Sequence, residues 1–199
     1  MRTPVELPQA CRLINHGPTV LVSAAHGGRR NLMAAAWSMP VEFAPPRIAV
    51  VIDKSTYTRE LILAGGAFAI SLPCRAVADL AYTVGSESGR DAGPDKFARH
   101  GIEAESGPEL GQPWVAGCVA WLECRRLPEP HSEDAYDTFF GEVVSAAADA
   151  RVFANGRWSF RDDNADLHTL HHLGAGLFAL PARSVQGRRL PSTLPDAPP

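Results

Sequence analysis

Three short segments hold the residue types from which a binding site could be built. Asn31-Leu32-Met33-Ala34-Ala35-Ala36-Trp37-Ser38 follows a Gly27-Gly28-Arg29-Arg30 turn, and its small side chains would let a planar ligand approach the backbone closely. Backbone N–H and C=O groups left free along such an edge offer a planar ring its donors and acceptors. On pattern alone the same stretch reads as a plain buried strand with Trp37 in the core. The second segment, Lys54-Ser55-Thr56-Tyr57-Thr58, lies between a strand and the start of a helix. Hydroxyls and backbone amides at a helix N-terminus, with a lysine beside them, suit a terminal phosphate. An ordinary cap, in which Ser55 or Thr56 satisfies free backbone donors, is compatible with that role. The third is Ser86-Glu87-Ser88-Gly89-Arg90-Asp91, followed by Asp95-Lys96-Phe97. Gly89 permits close backbone approach, and Arg90 could meet a phosphate or a carbonyl-bearing ring edge. The plainer alternative makes Arg90 and Asp91 a solvated surface pair.

Other reactive side chains carry less. His168, His171 and His172 form a dense imidazole cluster. Adjacent histidines on an extended strand point to opposite faces, however, and no cysteine or carboxylate is placed to close a metal site. A structural or pocket-lining role is favoured, and no metal is expected. Cys11, Cys74, Cys118 and Cys124 form no C-x-x-C pair and read as reduced. The even separation of Cys118 and Cys124 would put them on one face of a regular strand.

The elements that must position these residues are mostly strands. Pro18–Ala25 is Val-rich and ends at Gly27-Gly28; Leu32–Phe43 is a second apolar run; Arg47–Ile52 is a third strand after Pro45-Pro46. Thr56–Ala64 suits a short helix ended by Gly65-Gly66. Ala67–Leu72 returns to strand, and Ala76–Val84 and Asp95–His100 read as short helices around a polar loop, Gly85–Pro94. Cys118–Arg126 and Thr138–Ser145 are strand-like, and Asn155-Gly156 is a turn between two extended pieces. From Ser184 onward large apolar residues are scarce and four prolines follow, so a mobile or partner-wrapping tail over 184–199 is expected. No internal repeat or domain boundary is visible in residues 1–199. Many short strands with a few short helices indicate a mainly β barrel or sandwich. No G-x-G-x-x-G follows a strand, which disfavours a Rossmann dinucleotide domain.

The 199 residues are 45% hydrophobic and 21% charged, with a formal net charge of -3, so nothing draws the chain to nucleic acid or anionic membranes. Its apolar stretches span only a few residues against the roughly 20 of a membrane helix. Met1–Ala10 lacks a basic segment leading into an apolar one, so a cytoplasmic location is the expectation.

In this order the segments resemble the flavin reductase-like family of FMN-binding split barrels. The resemblance runs from about Pro18 to Pro181. It rests on Val20-Leu21-Val22-Ser23, Asn31-x-Met33-x-Ala35-x-Trp37, Phe43-x-Pro45-Pro46 and Ser55-Thr56-Tyr57-Thr58. It continues through Ser88-Gly89-Arg90-Asp91 with Asp95-Lys96-Phe97, Leu122-Glu123-Cys124, Phe140-Gly141-Glu142-Val143 and Leu170-His171-His172-Leu173-Gly174. The resemblance implies a six-stranded antiparallel Greek-key split barrel with added helices, a homodimer, and FMN in a groove near the subunit interface. It places the flavin ring along Asn31–Ser38 and the phosphate near Lys54–Thr58, with Ser88, Gly89, Arg90 and His172 in the same pocket. The implied activity is hydride transfer from NADH or NADPH to FMN, with FAD or riboflavin as alternative substrates and a partner monooxygenase as a possible acceptor. The isoalloxazine carries such a redox step itself, so no catalytic triad is expected. Two alternatives remain: a non-enzymatic FMN-binding electron carrier, and a split barrel that has lost flavin and binds another planar ligand.

Overall fold

The computed structural model describes residues 1–90 and 95–190. The chain opens with β1 (Arg2–Pro4), α1 (Leu7–Ala10), β2 (Val20–His26), β3 (Arg29–Ala35), β4 (Ser38–Phe43) and β5 (Pro46–Val51). It continues with α2 (Tyr57–Gly65), β6 (Ala67–Leu72), α3 (Ala78–Ser86), α4 (Lys96–Arg99), β7 (Ala104–Ser106) and β8 (Pro113–Val115). The last part holds β9 (Ala120–Leu127), α5 (Pro130–Tyr136), β10 (Thr138–Asp149), the hairpin β11 (Phe153–Ala154) and β12 (Arg157–Trp158), and the hairpin β13 (His171–Gly174) and β14 (Leu177–Ala179).

The main sheet runs β3-β2-β6-β9-β10-β5-β4, and β1 adds beside the end of β10. Every pairing in it is antiparallel. β10 makes the curl possible. Its first residues pair with β5, Phe140–Ala148 pairs with β9, and its register shifts between Val143 and Ser145. A bulge of that kind bends the strand and increases its twist. β3 and β4 follow each other in sequence, yet they form the two ends of the sheet and do not pair. The mainly β split barrel with a few short helices is therefore the fold, and the split lies between these two strands.

Alternation along the strands builds two apolar layers. Val20 and Val22 of β2 and Phe68 and Ile70 of β6 enter the larger cluster with Ile48 and Val50 of β5. Leu21, Ala69 and Leu32, on the opposite faces, pack with Val84 of α3, Phe97 of α4 and Trp121. All six residues of β6 are buried because helices and loops cover both its faces. Gly141 has no side chain where the Phe68 ring needs room: a Cβ there would lie 2.6 Å from Phe68 Cζ.

Several expectations change in detail. The main sheet has eight strands, two more than the resemblance implied, because β1 joins β10 and Leu32–Phe43 turns at Ala36-Trp37 into two strands. Cys118 precedes β9 instead of lying on it, and packs in the second cluster while Cys124 packs in the first, so they do not share a face. All four cysteines are buried free thiols. Asn155 and Gly156 both adopt positive φ in the β11–β12 turn, as that dipeptide favours. Of the expected tail, residues 191–199 lie outside the described residues, as does Asp91. No helix among the described residues is long and apolar enough to cross a membrane.

Candidate ligand-binding site

A trough runs along the free edge of β3, walled by the start of α2, the end of α3 and the β13–β14 hairpin. It has two halves that share Ala34, Gly85 and Ser86. The first half, a cavity of about 400 Å³, is lined by Asn31, Met33, Ser55, Thr56, Ser88 and Lys96, among others. The second half, of about 270 Å³, is lined by Ala35, Ala36, Tyr82, His172, Gly176 and Phe178, among others, and among the described residues no Asp, Glu, Lys or Arg lines it. The first half thus carries most of the hydroxyl, amide and charged side chains, and the second carries most of the aromatic ones.

β3 can serve as a wall because, among the described residues, no strand pairs with its outer side. Lys96 Nζ donates to the Leu32 carbonyl at 3.0 Å, which marks Leu32 as outward-facing. In an antiparallel strand the N–H and C=O of one residue point to the same side and alternate along the chain. Ala34, two residues on, therefore turns its own N–H and C=O toward the trough, and its methyl side chain leaves the approach open.

At the polar end, α2 starts at Thr56, whose backbone is extended and whose side chain caps nothing. Thr56 Oγ1 donates to the Asp53 carbonyl at 2.8 Å instead, while Asp53 Oδ1 accepts from Ser55 N at 2.7 Å and Ser55 Oγ at 2.5 Å. These two bonds from Ser55 hold the Asp53 carboxyl below its ordinary range. The loop before the helix is therefore fixed by its own side chains, and the first amides of α2 are left without a side-chain cap. Asn31 Nδ2 donates to Thr58 Oγ1 at 2.9 Å, tying the β3 edge to α2 in a buried position. Gly89 closes over that pair, since a Cβ there would fall 2.4 Å from Asn31 Oδ1. Glu87 also lines this half, but it accepts from His100 Nε2 at 2.8 Å and from Arg99 at 3.3 Å. The His100 hydrogen bond keeps the Glu87 carboxyl below its ordinary range.

At the apolar end, His172 and Phe178 face each other across the β13–β14 hairpin with ring centroids 5.5 Å apart. Thr19 Oγ1 accepts from the His172 backbone N–H at 3.1 Å and anchors the hairpin to the barrel. At the hairpin tip Gly176 has φ +77, and a Cβ would sit 2.8 Å from the Tyr82 ring. The adjacent His171 points the other way, onto His16 at 5.4 Å. Burial, with His171 nearby, lowers the His16 pKa to about 4.

A family model described as a flavin reductase like domain matches residues 12–162. The chain belongs to the flavin reductase-like family. It is 57% identical over 185 residues to the uncharacterized protein YddH of Escherichia coli (strain K12), covering 92% of this chain and 96% of that one. It is 44% identical to an FMN-binding domain of a flavin reductases-like enzyme from Shewanella baltica OS155, whose crystal structure covers 94% of this chain and 98% of its own, with a TM-score of 0.91. An NADH-dependent FAD reductase of Streptomyces globisporus is 27% identical over 168 residues, 82% of this chain and 90% of its own.

Set on this flavin reductase-like framework, most of the residues singled out in the sequence come together. Asn31, Met33, Ala34, Ala35, Ala36, Ser55, Thr56, Tyr57, Ser88, Gly89 and His172 line the trough. Thr58 stands behind it on Asn31. Trp37 is 74% exposed at the corner between β3 and β4, so the buried-strand reading of that stretch, with Trp37 in the core, does not hold. Ser38 begins β4, and its buried hydroxyl has no partner. Lys54 turns away and donates to the Asp134 carbonyl of α5. Arg90 bonds the Ser55 carbonyl and the Glu60 carboxylate, so its ion pair is with α2. Tyr82, Phe178 and Lys96 were not singled out. The first two are ordinary apolar-pattern residues in sequence, whereas Lys96 stood within the Asp95-Lys96-Phe97 motif and carried no role.

Proposed function

We propose that the trough binds FMN and that the protein is an NAD(P)H-dependent flavin oxidoreductase. The observation that carries this reading is a trough along the β3 edge whose two halves share Ala34, Gly85 and Ser86, one bearing most of the hydroxyl and amide side chains and the other most of the aromatic ones. The ring of FMN suits the apolar half, where Ala34–Ala36 allow close approach and His172, Tyr82 and Phe178 supply aromatic walls. Its phosphate suits the other half, where the uncapped start of α2 and the hydroxyls of Ser55, Thr56 and Ser88 supply donors. When bound, the flavin supplies the hydride chemistry. The chain's own part is to bind, orient and shield: the outward N–H and C=O of Ala34 fix the ring edge, and the hairpin tip at Gly176 limits access of water.

The exposed apolar row Trp37, Met39, Val41 and Phe43 beside this trough suits a second copy of the chain, and a homodimer with the flavin near the interface is part of the reading. NADH or NADPH is the donor; FAD or riboflavin are alternative substrates, and a monooxygenase is a fitting consumer of reduced flavin.

The test is anaerobic addition of NADH, and separately NADPH, to the protein loaded with FMN. Loss of the visible flavin absorbance at a rate proportional to enzyme supports the reductase. Tight FMN binding with no bleaching by either nucleotide would replace it with the electron-carrier reading.

A further inference from the structure

We propose that Arg90 sets the flavin specificity of the trough: by tying its two walls together beyond the phosphate, it admits FMN and disfavours FAD. The inference rests on the FMN reading above and deepens it. FMN ends at its phosphate, whereas FAD continues from the same point into a second phosphate and an adenosine. Ser55 and Thr56 on the α2 side, and Ser88 and Gly89 in the loop after α3, line the polar end. Arg90 follows Gly89 in the chain, and its guanidinium crosses to the other wall. There it donates to the Ser55 carbonyl and to the Glu60 carboxylate in the first turn of α2.

Other contacts close the same end. Asn31 Nδ2 holds Thr58 Oγ1 at 2.9 Å, and the Gly89 backbone lies so near that a Cβ there would fall 2.4 Å from Asn31 Oδ1. The Arg90 backbone N–H donates to Ser88 Oγ at 3.1 Å, which fixes the turn that carries the guanidinium across and still leaves the Ser88 O–H to donate. A group extending past the phosphate therefore meets the Arg90 tie on one side and the Gly89–Asn31 contact on the other. The Arg90–Glu60 pair is partly exposed, and alone it would hold weakly. The same guanidinium also bonds a backbone carbonyl, and two bonds from one planar fork fix its direction as a single ion pair does not. Glu60 offsets its charge, so Arg90 is a positioning residue, and the phosphate takes its donors from the α2 amides and the hydroxyls. Of the two alternative flavins, riboflavin ends before the tie and FAD runs into it.

The test is calorimetric titration of the full chain with FMN, FAD and riboflavin. The wild-type chain should bind FMN at least about 10-fold more tightly than FAD. Arg90→Ala should tighten FAD binding about 10-fold, the effect of releasing a charged hydrogen bond, while FMN and riboflavin affinities change by less than about 3-fold. A loss of FMN affinity of about 10-fold in Arg90→Ala, with riboflavin unchanged, would make Arg90 a direct phosphate partner and overturn the proposal. An unchanged FMN-to-FAD ratio in that variant, or a wild-type chain with no preference between the two, would overturn it as well. If Arg90→Ala does not fold by circular dichroism, Glu60→Gln decides. It weakens the tie from the α2 side and should tighten FAD binding about 3-fold with FMN unaltered; no gain for FAD would overturn the assignment. Failure of the wild-type chain to bind any of the three flavins would instead sink the FMN reading itself.

Discussion

The two ends of the sheet, β3 and β4, are consecutive in the chain and opposite in character. β3 is mostly covered: Asn31 is tied to α2, Leu32 is tied to Lys96, and alanines floor the trough. β4 is bare and apolar, with Met39 57% and Phe43 69% exposed. An uncovered strand edge invites pairing, and proteins ordinarily blunt it with charge or cover it. β3 is blunted by surrounding helices that leave room for a ligand, whereas β4 is left with a face that a second protein surface would cover. The corner Ala36-Trp37 separates the two uses, so a ligand on β3 and a subunit on β4 would be neighbours.

The comparison can be broken most severely from the β3 side. Gly85 belongs to both halves of the trough, and a Cβ there would lie 3.0 Å from Ala34 Cβ. Gly85→Val should therefore lower FMN affinity by about 100-fold or more in a fluorescence titration, the loss expected when a close approach is blocked. On the β4 side, Met39→Glu combined with Phe43→Glu should shift the chain toward monomer by at least about tenfold in dissociation constant, measured by sedimentation. A wild-type chain that sediments as a monomer with flavin bound would remove β4 from the account.

Smaller effects sharpen the same contrast. Asn31→Ala leaves Thr58 Oγ1 without its buried donor and should cost about 1–3 kcal/mol of stability by urea unfolding, besides loosening the trough. His16 gives a pH effect away from both edges. Its folded pKa of about 4 lies below the ordinary value of 6.5, so the unfolded chain takes up the proton first as pH falls. Stability contributed by neutral His16 is complete above about pH 6.5 and is lost progressively toward pH 4. A melting temperature lower by about 5 °C at pH 4.5 than at pH 7, with the difference reduced in His16→Phe, is expected.

How far the sequence foretold this site depends on what kind of signal each residue leaves. Small residues on β3, hydroxyls before α2 and the glycine at 89 carry local signals of close approach and helix start, and they do line the trough. The α2 boundaries were legible too, since Gly66 ends the helix in the left-handed conformation that glycine favours. Lys54 and Arg90 show where local reasoning stops. A charge next to a helix start says nothing about the direction of a long side chain, and here tertiary partners on α5 and α2 take both. Lys96 is the converse: its value comes from burial between α3 and β3, 64 residues from Leu32 in the chain, which no local pattern reports. The turn at Ala36-Trp37 was hidden because apolar residues continue through it, and the exposure of Trp37 belongs to the surface of β4.

The most direct test of the account is a visible-absorption titration of the purified chain with FMN. Binding in the trough predicts a shifted and structured flavin band that saturates at one FMN per chain, with a dissociation constant of about 1 μM or below, and abolition of that shift by Gly85→Val. An unchanged free-flavin spectrum at about 100 μM FMN, or a shift that Gly85→Val leaves intact, would contradict the assignment of the β3 trough as the flavin site.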